Sequence, residues 1–108
     1  MRRIVKASLL VALIGVAVSA QAADPANGRT LASKCQTCHG LDGIAKIPIA
    51  PHLAGESRIY LETQLKAFRS GKREHEMMTV IAKDLSDEEI SDLSAWYESI
   101  QITATMPE

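Results

Sequence analysis

The chain has 108 residues, with 12 basic and 13 acidic side chains and a formal net charge of −1. This balance argues against a nucleic-acid ligand and against binding to an acidic membrane surface. At this length we expect one small domain, and such a domain is marginally stable unless a disulfide, a metal or a cofactor supports it.

The first 22 residues have the pattern of a secretory signal peptide. Its three parts are a basic start with Arg2, Arg3 and Lys6, an apolar run over residues 9–18, and the cleavage motif Ala20-Gln21-Ala22. The run is shorter than the roughly 20 residues of a membrane-spanning helix, so we expect no stable membrane anchor. The sequence predicts residues 1–22 as the signal and 23–108 as the mature domain, in which nine basic face 13 acidic side chains, a formal charge of −4.

The first helix of the mature segment is predicted from about Pro25 to Lys34. Asp24 is a favourable N-cap, and proline is favoured at the first helical position. Gly28 lies inside this helix, where glycine costs about 1 kcal/mol relative to alanine. We therefore expect another helix to approach the backbone closely at Gly28.

Both cysteines of the chain fall in one pentapeptide, Cys35-Gln36-Thr37-Cys38-His39, directly after this helix. The spacing C-x-x-C-H is typical of covalent haem attachment. On a helical turn Cys35, Cys38 and His39 share one face, so two thiols can each add to a porphyrin vinyl group while the imidazole ligates the iron. The motif predicts one covalently attached haem c per chain.

Three other interpretations of this motif are weaker. A zinc finger needs a second pair of ligands, and His75 lies too far beyond His52 to complete one. A thioredoxin-like dithiol would need a surrounding βαβ pattern, which the sequence lacks. A structural disulfide would explain Cys35 and Cys38 but not His39.

The remainder of the chain predicts a loop and three further helices, with no competing strand pattern. Residues 40–56 are rich in Gly and Pro and are predicted to form the loop. The helices are expected over Ser57 to Ser70 with Gly71 as cap, over Thr79 to Lys83, and from a capping box at Ser86 to about Ile100. The predicted fold class is all-α, a single domain of three to four helices around one haem.

A haem iron bound by His39 has a second axial position, which is either ligated or open. The candidate ligands are Met77, Met78, Met106, His52 and His75. Met77 and Met78 stand between a polar loop and a helix, where a thioether could reach across the haem. The alternative is that both fill gaps in the core. A thioether ligand would indicate electron transfer, and an open position would indicate ligand binding.

Features spread over Ala26 to Ile100 resemble a class I c-type cytochrome. The resemblance is strongest to small bacterial periplasmic cytochromes and to the single-haem halves of dihaem cytochromes c. The matching features are Gly28, Cys35 to Gly40, Pro51-His52-Leu53-Ala54-Gly55, Tyr60-Leu61, Gln64-Leu65, Gly71-Lys72-Arg73, Met77-Met78 and the segment from Leu85 to Tyr97. One departure is Glu74-His75-Glu76, since the family often has Asn or Pro just before its methionine pair.

The resemblance implies a role for each site residue. Cys35 and Cys38 would carry the thioethers, and His39 would be the proximal ligand, with its Nδ1 donating to the carbonyl oxygen of Pro51. Met78 would be the sixth ligand of the iron, with Met77 as the runner-up. Arg73 would either contact a haem propionate or remain exposed.

These predictions together describe a periplasmic one-electron carrier with His/Met axial ligation. No substrate pocket is marked in the sequence, so the protein is expected to act as a carrier and not as an enzyme. We expect redox partner proteins, and either a monomer or a subunit of a redox complex. Two alternatives remain open, namely a cytochrome subunit of a larger periplasmic oxidoreductase, and a sensor or gas-binding haem protein without a firm sixth ligand.

Overall fold

The structure is a computed structural model that describes Ile4, residues 10–17 and residues 21–108. The basic start of the predicted signal peptide and the first residue of its cleavage motif, Ala20, lie outside the described residues. Among the described residues, no helix has both the length and the apolar character required to cross a bilayer.

Five α-helices make up the domain. They are α1 (Pro25–Leu31), α2 (Gln36–His39), α3 (Arg58–Ser70), α4 (Met78–Lys83) and α5 (Asp87–Ser99). Residues 21–108 contain no strand, which confirms the predicted all-α class. The first predicted helix is α-helical only to Leu31 and continues as a 3-10 turn over Ala32–Lys34, a tightening common at helix ends.

Two helices begin at the predicted caps Asp24 and Ser86, α3 ends at the predicted cap Gly71, and Ser57, predicted as the first residue of α3, is its N-cap. The Asp24 carboxylate accepts hydrogen bonds from two N–H groups of α1, and the Ser57 hydroxyl accepts one at the start of α3. At α5, Ser86 and Glu89 form both hydrogen bonds of a capping box. Gly71 ends α3 with a φ of 81°, a left-handed conformation that favours glycine. Local sequence signals therefore decide where these helices start and stop.

The first and last helices cross at Gly28. A Cβ atom added to Gly28 would overlap the backbone carbonyl of Asp92 and lie 2.9 Å from Cβ of Trp96. The buried Asp92 carboxylate accepts a hydrogen bond from the backbone N–H of Asp24 at 2.7 Å and one from the Asn27 amide at 2.8 Å. The expected close approach of another helix at Gly28 is thus confirmed. The hydrogen bonds to Asp92 also hold the start of α1 against α5.

The core lies between these helices and α3. Its buried members are Ala32, Leu61, Phe68, Ala82, Leu85, Ile90, Leu93 and Tyr97. Several of them, including Leu61, Phe68 and Leu93, also line a cavity. One apolar cluster therefore supports both the helix packing and the site described next.

Candidate haem site

An apolar cavity of about 230 Å³ opens between α2, α3, α4, α5 and the loop over residues 40–57. It is larger than an engineered apolar cavity of ~150 Å³ that binds benzene. A flat apolar group seated here would remove the apolar lining from water, which stabilises a fold by about 25 cal/mol per Å² covered. A small domain has a net stability of only about 5–15 kcal/mol, so this contribution would matter to its folding.

The cysteine motif forms one wall of this cavity. Backbone N–H groups of Cys38 and His39 donate to the Cys35 carbonyl oxygen at 3.3 and 2.9 Å, which closes a helical turn. Cys35, Cys38 and His39 all line the cavity. Gly40 then leaves the helix with φ 78° and ψ 148°, a region that is essentially restricted to glycine. The chain therefore leaves the helical direction directly after His39 and does not cover this wall of the cavity.

The imidazole of His39 is held in one orientation. The ring is buried, and its Nδ1 lies 2.9 Å from the carbonyl oxygen of Pro51. Because a carbonyl oxygen only accepts, Nδ1 carries the proton and donates it, which assigns the lone pair to Nε2. This is the tautomer in which Nε2 is available as a metal ligand.

The loop that carries Pro51 is fastened to α5 and to α2. Trp96 Nε1 donates to the Leu41 carbonyl at 2.9 Å, and the Tyr97 hydroxyl donates to the Gly40 carbonyl at 3.1 Å. The backbone N–H of Lys46 donates to the Cys38 carbonyl at 2.8 Å. The sequence predicted the helix that carries Trp96 and Tyr97, but not these anchoring bonds. The available signal was that both side chains have a polar end that needs a partner when buried.

The two methionines reach the same cavity at the start of α4. Met78 is the first residue of this helix and Met77 precedes it, and both line the cavity. Met78 packs against the core cluster, whereas the Met77 side chain is 45% exposed. Met106 is exposed in the C-terminal segment, and His52 accepts a hydrogen bond from the Ala45 backbone at 2.8 Å. The structure therefore brings together Cys35, Cys38, His39, Pro51, Met77 and Met78, and leaves Met106 and His52 outside.

Two basic side chains, Arg73 and Lys34, are also among the residues lining the cavity. The Arg73 guanidinium lies 4.5 Å from the Phe68 ring centroid and donates to the Gln64 side-chain oxygen at 2.7 Å. These contacts hold one face and one edge of the guanidinium. The remaining donors suit carboxylate groups such as the propionates of a haem.

Two polar groups of the lining, the Cys35 thiol and the Tyr97 hydroxyl, are neutral. Burial raises the pKa of the Cys35 thiol, and burial also raises the pKa of the Tyr97 hydroxyl. A cysteine that stays neutral is better suited to form a thioether than to bind a metal as a thiolate. The Ser94 hydroxyl, also in the lining, has no hydrogen-bond partner among the described residues. Among those residues there is also no cluster of three or more His, Cys, Asp or Glu side chains suited to a metal ion.

The site as a whole fits a covalently attached haem. Two thiols, an oriented imidazole and a pair of thioethers surround an apolar cavity, with basic groups in its lining. The fold and the site together define a c-type haem protein. Residues 25–101 match the family model of cytochrome c, so the chain belongs to the cytochrome c family.

Individual relatives refine this assignment. Cytochrome c-554(548) of Halomonas halodenitrificans is 44% identical over 81 residues, which cover 72% of this chain and 98% of that protein. A thiosulfate dehydrogenase electron acceptor of Thiomonas intermedia is 35% identical over 103 residues, which cover 94% of this chain and 45% of that protein. The crystal structure of reduced cytochrome c4 from Pseudomonas stutzeri matches with a TM-score of 0.69 at 31% identity, over 74% of this chain and 47% of that chain. The chain thus spans nearly all of the first relative and about half of the other two.

These findings confirm the class predicted from the sequence. The chain is a class I c-type cytochrome with the all-α cytochrome c fold. Its family implies a covalently bound haem c and a role in electron transfer, and its cytochrome relatives are electron carriers and not enzymes.

Proposed function

We propose that this protein is a periplasmic one-electron carrier with a single haem c. Cys35 and Cys38 would form the thioether bonds, and His39 Nε2 and Met78 Sδ would be the axial ligands. The observation that carries the proposal is the single cavity in which both cysteines, the oriented imidazole and the methionine pair meet. One motif and two cysteines in the whole sequence support one haem per chain.

The haem, once bound, supplies iron that cycles between the ferric and ferrous states. The protein's part is to hold both axial groups through that cycle so that little rearranges. The Pro51 carbonyl restrains the His39 ring and increases the basicity of Nε2. The apolar wall of Leu61, Phe68 and Leu93 excludes water, and a thioether ligand raises the reduction potential.

Met78 is the better candidate for the sixth ligand. It is the first residue of α4, lines the cavity and packs against the core cluster. Met77 precedes the helix as its N-cap and is substantially exposed. Burial against the core restricts the Met78 side chain, which lowers the entropy lost when its sulfur binds.

The ligand assignment is tested by replacing each methionine with alanine. Met78→Ala should abolish the sulfur-to-iron charge-transfer band of the ferric protein and lower the reduction potential, because a thioether favours ferrous iron. Met77→Ala is the matched control and should retain the band. The reverse result would move the assignment to Met77, and a high-spin ferric wild type would favour a sensor or gas-binding protein.

Haem number and processing are tested together on the exported protein. Pyridine haemochrome absorbance should indicate haem c at one equivalent per chain. Intact mass should equal residues 23–108 plus one haem, because the basic start, the apolar run and the Ala-x-Ala motif favour export and cleavage after Ala22. A colourless protein whose two sulfurs are unmodified would refute the proposal.

A second candidate is a cytochrome subunit of a larger periplasmic oxidoreductase. It is favoured by the similarity over nearly the whole chain to a protein named as the electron acceptor of a thiosulfate dehydrogenase. Redox encounters of free carriers bury little surface and dissociate quickly. Size-exclusion chromatography of native periplasm therefore separates the candidates, since a free carrier elutes alone and a subunit elutes with a stoichiometric partner.

A further inference from the structure

The His75 side chain is bound to the backbone of the methionine pair. Its Nδ1 accepts hydrogen bonds from the backbone N–H groups of Met77 at 3.2 Å and Met78 at 3.3 Å. The bonding is reciprocal, because the backbone N–H of His75 donates to the Thr79 hydroxyl at 2.9 Å and its carbonyl accepts from the Thr79 N–H at 3.0 Å. The first N–H groups of a helix lack acceptors within the helix, so His75 serves as a cap for α4.

The imidazole has one further contact, although His75 itself is exposed. Its ring meets the Phe68 ring edge to face, with centroids 6.5 Å apart and an interplanar angle of 71°. It also lines the cavity, next to the side chains that it caps. Since Nδ1 accepts two hydrogen bonds, the tautomer assigned by this network carries its proton on Nε2. Any rotation of the ring would release both methionine N–H groups.

The backbone bonds of His75 act on a segment with few other restraints. Residues 72–77 form no regular helix, and Met77 is the N-cap of α4 without a hydrogen bond from its own side chain. The caps of α3 and α5 are serine hydroxyls, and neither serine lines the cavity, whereas His75 and both methionines do. The position of the Met78 backbone therefore depends on the imidazole.

We propose that His75 is a positioning residue for the sixth ligand. By holding the backbone of Met78, His75 would set the balance between the iron-bound and the released Met78 thioether. This inference rests on the proposed His39/Met78 ligation. Losing an N-cap of this kind changes a local equilibrium by about tenfold. Loss of the cap should accordingly shift the balance between bound and released thioether toward release by a similar factor.

Competition by added imidazole measures that balance in the exported holoprotein at one fixed pH. Imidazole binds ferric iron only when the thioether is released, and the charge-transfer band reports the displacement. His75→Ala should bind imidazole about tenfold more tightly than the wild type, because the cap is lost. Its reduction potential should fall, since a smaller fraction of the iron keeps the thioether.

Two further variants separate the cap from the bulk of the ring. In His75→Asn the side-chain oxygen occupies the place of Nδ1, so the imidazole affinity should return close to the wild-type value. In His75→Gln the acceptor lies one bond farther out, and the affinity should resemble that of His75→Ala. The Asn and Gln variants both lack the ring, so their comparison holds even where the Ala variant fails to fold.

The outcomes distinguish this inference from the proposal on which it rests. Equal imidazole affinity in the wild type and in all three variants would overturn the positioning role and leave the ligation intact. Equal tightening in the Asn and Gln variants would overturn it in favour of ring packing. A wild-type protein without the charge-transfer band would refute the His/Met ligation and the inference with it.

Discussion

Two regions of the domain are stabilised in opposite ways. One is the crossing of α1 and α5, and the other is the methionine segment, residues 74–83. At the crossing, Gly28 lets two helix backbones touch, and the neighbouring Ala32 and Ile90 have no exposed surface. In the methionine segment, Met77 and Val80 are exposed, and α4 relies on the His75 imidazole for its first hydrogen bonds. The crossing is packed by protein atoms alone, whereas the methionine segment borders the cavity.

This difference indicates a division of tasks. The crossing supports the side of the cavity that carries His39, because Trp96 and Tyr97 of α5 also anchor the loop that follows His39. The start of the methionine segment is exposed and its hydrogen bonds come from neighbouring residues, so small changes there should alter its conformation. We therefore expect substitutions at the crossing to change global stability and substitutions in the methionine segment to change the iron site.

The largest effect is expected from removing the haem altogether. The double variant Cys35→Ala, Cys38→Ala should yield little folded protein, because the apolar lining of the cavity would then face water and the net stability of a small domain is only about 5–15 kcal/mol. Far-ultraviolet circular dichroism and recovery of exported protein measure this. A stable, helical, haem-free double variant would show that the crossing alone organises the fold.

A single methyl group should damage the crossing. Gly28→Ala should lower the free energy of unfolding by about 2 kcal/mol, because strain from overpacking outweighs the gain in helix propensity. Urea unfolding gives the value, and the charge-transfer band should remain. Gly71→Ala is a useful control, since a Cβ there meets no atom and only the backbone conformation opposes it. A loss at Gly28 no greater than at Gly71 would contradict the crowded crossing.

The unpartnered hydroxyl in the cavity wall should be dispensable. Ser94→Ala should leave stability unchanged or raise it by about 1 kcal/mol, because an unsatisfied buried hydroxyl carries its desolvation cost without a compensating bond. Thermal unfolding of the holoprotein measures the change. Clear destabilisation would instead mean that the hydroxyl has a partner in the haem-bound protein.

The smallest effect is expected at the surface, where Arg69 links α3 to α5. Its guanidinium donates to the Asp87 carboxylate and lowers the pKa of that carboxyl. Because the folded-state pKa of Asp87 is lowered, the ion pair stabilises the fold at a pH above the ordinary carboxyl pKa of about 3.9. This stabilisation is lost as the pH falls through the lower pKa of the folded state. The stability difference between wild type and Asp87→Asn should therefore vanish at low pH. A difference that persists there would show that the ion pair is not its cause.

Sequence reasoning performed best where neighbouring residues decide the structure. The caps at Asp24, Gly71 and Ser86 were predictable, because each cap signal lies within a few positions of the helix that it caps. The close approach at Gly28 was predictable because glycine has no side chain to obstruct a neighbouring helix. It was weaker at the helix boundary after Leu31, where a 3-10 turn replaces the last α-helical residues. The His75 cap was not anticipated, since imidazole is an uncommon acceptor at a helix start.

The amino-acid sequence by itself determined the cofactor class and the all-α fold. Covalent attachment depends on two thiols and an imidazole within one helical turn, and helix formation depends on short-range patterns. Only the tertiary structure decided how the site is held. The contacts of Trp96 with Leu41 and of His75 with the methionine backbone are set by how the loops close over the helices, which no local pattern specifies.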